Sequence, residues 1–256
     1  MKIAIYQMEI LPGEPEKNIE KVANWLSTLD DVDIAVLPEM WNTSYTLEEL
    51  VNITSEEGQR EIEKLSKLAK QYQINIVGGS IAVKVEGKIY NRAIVINKNG
   101  EHIHQYDKLH LVPMLDEPNY LTQGNNISIF EIDNVKMGVI ICYDLRFPEI
   151  SRKLALEGIE VLFVVAEWPI ERISQFEKLL YARAIENQVY VIASNSIGKC
   201  DDTVFGGKSM VINPLGEATT KIILGEGTIQ ATVNIEEIRN IRTKIPLLKT
   251  RRADIY

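Results

Sequence analysis

The 256-residue chain holds only two cysteines and three histidines. Cys142 and Cys200 are too few to staple a disulfide framework, so the sequence suits a reducing, cytoplasmic setting. Long apolar runs are missing too. The longest, residues 161–166, falls far short of the ~20 residues that cross a bilayer. At the N-terminus, MKIAIYQMEI is interrupted by Tyr6, Gln7 and Glu9 and lacks the apolar core of a signal peptide. Positive charge is in the minority, with 28 Lys and Arg against 36 Asp and Glu, a net charge of −8. That balance argues against nucleic acid or an anionic membrane as the main partner. No internal repeat, low-complexity segment or linker is visible. One domain over residues 1–256 is therefore expected, with residues 243–256 a basic tail that is solvated or touches another subunit.

What is present is a globular composition, 45% hydrophobic and 25% charged. The spacing of apolar residues predicts strands near residues 2–9, 33–37, 74–83, 88–97, 101–106, 127–132, 135–142, 159–166, 189–196, 208–213 and 227–234. Helices are predicted near 19–29, 62–72, 148–157, 174–188 and 236–242. A polar, proline-bearing loop is predicted from Asp107 to Gly124, and Gly78-Gly79 in the strand 74–83 marks a close approach of two backbones. Hairpin turns at Asn99-Gly100 and Asp133-Asn134 rule out a purely parallel sheet. Strands apolar on both sides need cover on both sides. Two mixed sheets face to face with helices outside satisfy this, and so does one doubly wound sheet.

The stretch MGVIICYDLRFPE, residues 137–149, carries the first sign of chemistry. A buried strand ends at Cys142, charged Asp144 and Arg146 follow, and Pro148 opens a helix. A thiol at such a junction is either a buried structural residue or a nucleophile beside free backbone N–H donors. Two other ionisable residues share this address, Glu39 after IAVLP and Lys108 after IHQYD. Strand ends of α/β sheets are where ligands bind, so the three residues can converge on one pocket. Converged, Lys108 favours the thiolate, and Glu39 moves protons between thiol, leaving amine and water. Lys108 and the Tyr143 backbone N–H hold an oxyanion. Such a set suits acyl transfer from a C–N bond to water through a thioester, with no histidine and no cofactor.

LPEMW at 37–41, YDKLHLVP at 106–113 and ICYDLRFPE at 141–149 together resemble the nitrilase superfamily of carbon–nitrogen hydrolases. The resemblance implies a Glu39, Lys108 and Cys142 triad, and a second glutamate at Glu117 in MLDEPNYLTQG. It implies an α/β fold, the four-layer α-β-β-α sandwich with two mixed sheets, and a homodimer or larger assembly. CYDLRFPE, AEWP at 166–169 and ARAIENQ at 182–188 are most similar to the omega-amidase branch. That branch implies hydrolysis of the terminal amide of 2-oxo acid amides such as 2-oxoglutaramate, with release of ammonia. Other small-amide, carbamoyl or nitrile hydrolases share these motifs. A non-catalytic binding protein on the same fold is the alternative from a different class.

Several residues have competing readings. His102 and His104 point to one face of a strand, but no Cys, Asp or Glu cluster completes a metal site, so polar strand residues are expected and no metal. His110 offers a papain-like partner for a cysteine, which the motif order disfavours. Cys200, in KCDDT, reads as a loop bystander. Arg183, Glu186 and Asn187 fit a structural ion pair on one helix. A substrate carboxylate requires a cation, and Arg146, Arg172 and Lys208 are the candidates. Trp168 is either an apolar wall of the pocket or a core residue.

Overall fold

Period-2 alternation in the short β-branched runs sorts side chains to two faces, and here both faces are apolar. In the computed structural model, which describes residues 1–255, those runs form two mixed sheets. Tyr256, the last residue of the predicted tail, lies outside the described residues. The strands are β1 (Lys2–Gln7), β2 (Ile34–Val36), β3 (Ser55–Glu56), β4 (Asn75–Val85), β5 (Lys88–Ile96), β6 (His102–Asp107) and β7 (Phe130–Ile132). They continue with β8 (Val135–Ile141), β9 (Val161–Ala166), β10 (Tyr190–Asn195), β11 (Ile197–Cys200), β12 (Thr203–Gly206), β13 (Met210–Ile212) and β14 (Gly227–Thr232). One sheet runs β14-β1-β2-β4-β5-β6, with β3 paired to β4. The other runs β13-β10-β9-β8-β7, and β11 with β12 forms a separate hairpin.

The helices are α1 (Pro15–Ser27), α2 (Leu50–Ile53), α3 (Gln59–Tyr72), α4 (Glu117–Tyr120), α5 (Pro148–Leu156), α6 (Ile173–Asn187) and α7 (Ile235–Lys244). On β1, Ile3 and Ile5 join the core that includes Val139, Phe163 and Ile192 of the second sheet. Ala4 and Tyr6, between and beyond them, join the core under α1 and α3 with Trp25 and Leu65. β5 divides in the same way, with Ala93 and Val95 on one side and Ile94 and Ile96 on the other. α5 and α6 cover the far face of the second sheet through Leu154, Phe176 and Leu180. The result is the four-layer α-β-β-α sandwich. Each fully buried Ile, Val or Phe of these layers contributes about 1.5–3 kcal/mol relative to exposure.

Mixed pairing gives the sheets their polarity. β1, β2 and β4 are parallel, as are β8, β9 and β10, so several strands end on one side. β5 and β6 then add as antiparallel neighbours, which brings the end of β6 back to that side. The turn between β7 and β8 has positive φ at both Asp133 (49°) and Asn134 (63°), as a two-residue primed turn demands.

Three local expectations change. The strand predicted over 127–132 is only Phe130–Ile132, because residues 127–129 run outside the sheet. The segment after Lys108 is not all loop, for a 3-10 turn (Pro113–Leu115) and α4 interrupt it. Cys200 ends strand β11 and is buried instead of lying in a loop. Strands this short carry too few alternating residues to announce themselves.

His104 faces the second sheet, its ring 4.9 Å from that of Phe130. Its Nε2 is buried with no hydrogen-bond partner among the described residues. Burial, helped by the charge of His102, pushes its pKa down from 6.5 to about 4. The unfolded chain therefore binds this proton more readily, so the stabilisation from neutral His104 is present above pH 6.5 and is lost as pH falls toward 4. His104→Phe should keep the ring contact and lose less stability than the parent between pH 7 and pH 5, measured by urea unfolding at each pH.

Candidate active site

Four strands from both sheets end around one buried cluster. Glu39 follows β2, Lys108 follows β6, Cys142 follows β8 and Glu167 follows β9. Glu39, Lys108, Glu117 and Glu167 are completely buried, and Cys142 is nearly so at 4% exposure.

The Lys108 ammonium ties the cluster together. Nζ donates to Glu117 Oε1 at 2.6 Å and to Glu39 Oε1 at 2.9 Å, with Tyr45 Oη at 3.2 Å. Glu39 Oε1 also accepts from Tyr45 (2.9 Å) and Asn91 Nδ2 (2.8 Å), while Glu39 Oε2 accepts the Glu167 backbone N–H at 2.8 Å. Glu117 Oε2 accepts the Val112 N–H at 2.6 Å, and its Oε1 lies 2.8 Å from Tyr45 Oη. Burial alone disfavours an ammonium, but the carboxylates of Glu117 and Glu39 outweigh it and raise the Lys108 pKa. Burial raises the Glu117 carboxyl, against the pull of Lys108.

Cys142 departs from one expectation. Burial first, and the field of Glu39 second, push its thiol well above the ordinary range, and Lys108 only partly opposes them. The resting sulfur is thus a thiol, and Lys108 does not make it a standing thiolate. The backbone at Cys142 is left-handed (φ 44°) and opens a 3-10 helix, Cys142–Arg146. Such a conformation in a residue with a Cβ costs about 1–3 kcal/mol and persists only when its surroundings impose it. Here Asp144 does so. Its Oδ2 accepts from Ile141 N–H (3.2 Å) and Tyr106 Oη (2.7 Å), and its Oδ1 accepts from His110 N–H (3.0 Å). From behind, Arg183 Nη2 donates to the Leu145 carbonyl at 2.8 Å while Nη1 pairs with Glu186 at 2.9 Å. Tyr143 sits in the first turn of the 3-10 helix, where backbone N–H groups have no intrahelical acceptor.

Glu39 is fixed by an equally close approach. Gly79 has φ +57°, and a Cβ there would lie 1.9 Å from the Pro38 carbonyl oxygen. That contact lets the Ser80 N–H reach Pro38 O (3.1 Å), the Met40 N–H reach Ser80 Oγ (3.0 Å) and Trp41 Nε1 reach Gly78 O (2.7 Å). The Gly78-Gly79 pair was expected to mark a close backbone approach, and it does.

The remaining candidates separate clearly. Arg146 lies between aromatic faces, 4.6 Å above Trp168 and 5.6 Å above Tyr143, and donates to Gln175 Oε1 at 3.0 Å. Its Nε is buried with no partner among the described residues. Lys208 is neutralised by Glu177 at 2.6 Å. Arg172 uses its carbonyl to accept Trp168 Nε1 at 3.0 Å. Trp168 is a core residue packed on Phe176, and it carries Arg146 on its face. His110 places Nδ1 2.9 Å from Asp144 and stacks on Phe147 at 3.6 Å, so its imidazole serves Asp144.

Tyr45, Asn91, Asp144 and Glu167 join the cluster beyond the site residues that the sequence motifs mark. Glu167 shares the strand-end address that exposed the other three, which was the available signal. Tyr45 and Asn91 carry none, because they reach the site from a turn and from the middle of β5.

A carbon-nitrogen hydrolase family profile matches residues 2–243. The chain belongs to the carbon-nitrogen hydrolase family. It is 38% identical to the 2-oxoglutaramate amidase of Bacillus subtilis (strain 168), over 99% of this chain and 98% of that relative. An omega-amidase of Xenopus tropicalis is 32% identical, over 100% of this chain and 96% of its own length. Nit3 of Saccharomyces cerevisiae, a member of branch 10 of the nitrilase superfamily, superposes with a TM-score of 0.90 at 28% identity, covering 98% and 96% of the two chains. This carbon-nitrogen hydrolase is thus a hydrolase acting on amides, with the fold of the nitrilase superfamily. In it, Gly79→Ala should lower the unfolding free energy by roughly 3 kcal/mol through the clash and the left-handed φ. Urea unfolding measures that loss, and amidase activity should fall with it.

Proposed function

We propose that the enzyme hydrolyses the terminal amide of a short 2-oxo acid amide such as 2-oxoglutaramate, with Cys142 as nucleophile. The buried Lys108 ammonium held between Glu39 and Glu117, beside a strand-end thiol, is the observation that carries this reading. Glu39 Oε1 already accepts from three donors, whereas Oε2 accepts from the Glu167 N–H and keeps a lone pair. Oε2 is therefore the base. As sulfur attacks the amide carbon, the thiol proton passes to Oε2 and negative charge builds on the carbonyl oxygen. Of the three contacts of Lys108, that to Tyr45 is the longest, and this N–H turns to the oxyanion together with the Tyr143 backbone N–H. Collapse breaks the C–N bond, Glu39 returns the proton to nitrogen, and ammonia leaves a thioester. Water, deprotonated by Glu39, then adds to the thioester carbon, and the sulfur leaves as the thiol.

Because burial keeps the resting sulfur protonated, proton transfer must accompany attack, which makes Glu39 indispensable. Glu117 holds Lys108 through a second ion pair beside that with Glu39. For the distal carboxylate of the substrate, Arg146 is favoured over Lys208, since its Nε has no partner among the described residues and Lys208 is already paired. The amidase relative from Bacillus subtilis supports the choice of substrate.

Two measurements test this. Cys142→Ala should abolish ammonia release from 2-oxoglutaramate while circular dichroism and unfolding stay as in the parent; retained turnover would sink the mechanism. Arg146→Met, which keeps the stem over Trp168, should raise KM for 2-oxoglutaramate about 10–100-fold, the worth of a charge-assisted hydrogen bond. KM for an uncharged amide of similar length should stay nearly unchanged.

A further inference from the structure

Glu167 stands outside the roles above, although it is a completely buried carboxyl beside the base. Its backbone N–H donates to Glu39 Oε2, the oxygen assigned to proton transfer, at 2.8 Å. Its side chain points elsewhere. Oε1 accepts the Ser44 hydroxyl at 2.9 Å and the Ser196 hydroxyl at 3.4 Å. Oε2 has no hydrogen-bond partner among the described residues.

The surroundings supply one positive charge for three carboxyls. Glu39, Lys108 and Tyr45 face Glu167 from the first sheet and its loops, and Cys200 faces it from the β11–β12 hairpin. Lys108 makes its two carboxylate contacts with Glu39 and Glu117 and none with Glu167. An ionised carboxylate without a contacting cation and with one oxygen undonated is the most costly form in such a place. A neutral acid keeps both serine hydrogen bonds and removes the charge.

We propose that Glu167 is a positioning residue that works as an uncharged carboxylic acid. Anchored by Ser44 and Ser196, it holds its backbone N–H on Glu39 Oε2 and leaves Glu39 the ionised member of the pair. Burial first, and the charge of Glu39 second, push its carboxyl well above the ordinary carboxylate range, with the two serines and Lys108 pulling the other way. The positioning role rests on the assignment of Glu39 as general base, whereas the protonation state does not.

Infrared difference spectroscopy at pH 7 between the parent and Glu167→Gln reads the protonation state without turnover. The C=O stretch of a protonated carboxyl should be present in the parent and missing in the variant; Glu167→Met supplies the same comparison if Gln disturbs folding. Kinetics read the positioning. Glu167→Gln, which mimics the neutral acid, should keep kcat within about threefold and leave the acid limb of the pH profile in place. Glu167→Ala should lower kcat about tenfold or more at unchanged KM, because the anchor of the N–H is gone. Absence of the band, a shift of the acid limb by a unit in Glu167→Gln, or full kcat in Glu167→Ala would each overturn the proposal. Failure of the amidase reading itself shows separately, as turnover surviving in Cys142→Ala, and leaves the infrared result untouched.

Discussion

An ammonium sealed from water between two carboxylates is the constraint on which the rest of the structure depends. Lys108 has no exposed surface, and its Nζ lies within 3 Å of both Glu39 and Glu117. Taking such a charge out of water is expensive, and removal of one partner leaves the other uncompensated. Every element that enters the site can be understood as meeting that demand. Tyr45 and Asn91 complete the donors to Glu39, Val112 donates to Glu117, and the Asn91 carbonyl accepts the Lys108 backbone N–H at 2.9 Å. With two carboxylates on its one ammonium, the site has no positive charge to spare for a thiolate at Cys142.

Holding this arrangement requires backbone that regular strands and helices do not supply. The sheets deliver chain ends to one side of the sandwich, and the connections then make abrupt turns. Met40 and Cys142 both have left-handed φ, at 44°. Each is pinned by contacts that a loop alone would lack, Met40 by Ser80 and Cys142 by its neighbour Asp144. Asp144 and Arg183 never touch the sulfur, yet they determine where it points. The aromatic bed of Arg146 does the same for a cation, since stacking between Trp168 and Tyr143 fixes the plane of the guanidinium.

Much of this was legible in the residues. Apolar runs without polar interruption, such as VLFVVA, require cover on both faces, and hairpin turns exclude a parallel sheet. Together these leave few architectures, and the resemblance of three motifs selects the four-layer one. Glu39, Lys108 and Cys142 stand out because each follows a strand, so local pattern allows them a common edge and the family resemblance joins them. Glu117 is recovered only by resemblance, as it sits on a one-turn helix inside a segment that reads as loop. Tyr45 and Asn91 reach the cluster through tertiary approach, which leaves no periodic mark. Electrostatic state is the least legible property of all. Sequence pairs Lys108 with a thiolate, whereas burial and Glu39 decide the matter the other way.

The two carboxylates that grip Lys108 belong with the first sheet and its loops, while Cys142 and Glu167 end strands of the second. Neither sheet alone holds the buried cluster. The first sheet also depends on both ends of the chain, for β1 pairs with β14, and Lys2 lies opposite Thr232. Contacts so distant along the chain close slowly, after local hairpins and helices have formed. Return of catalysis during refolding is therefore a clock for the final docking of the two sheets, and recovery of secondary structure runs ahead of it.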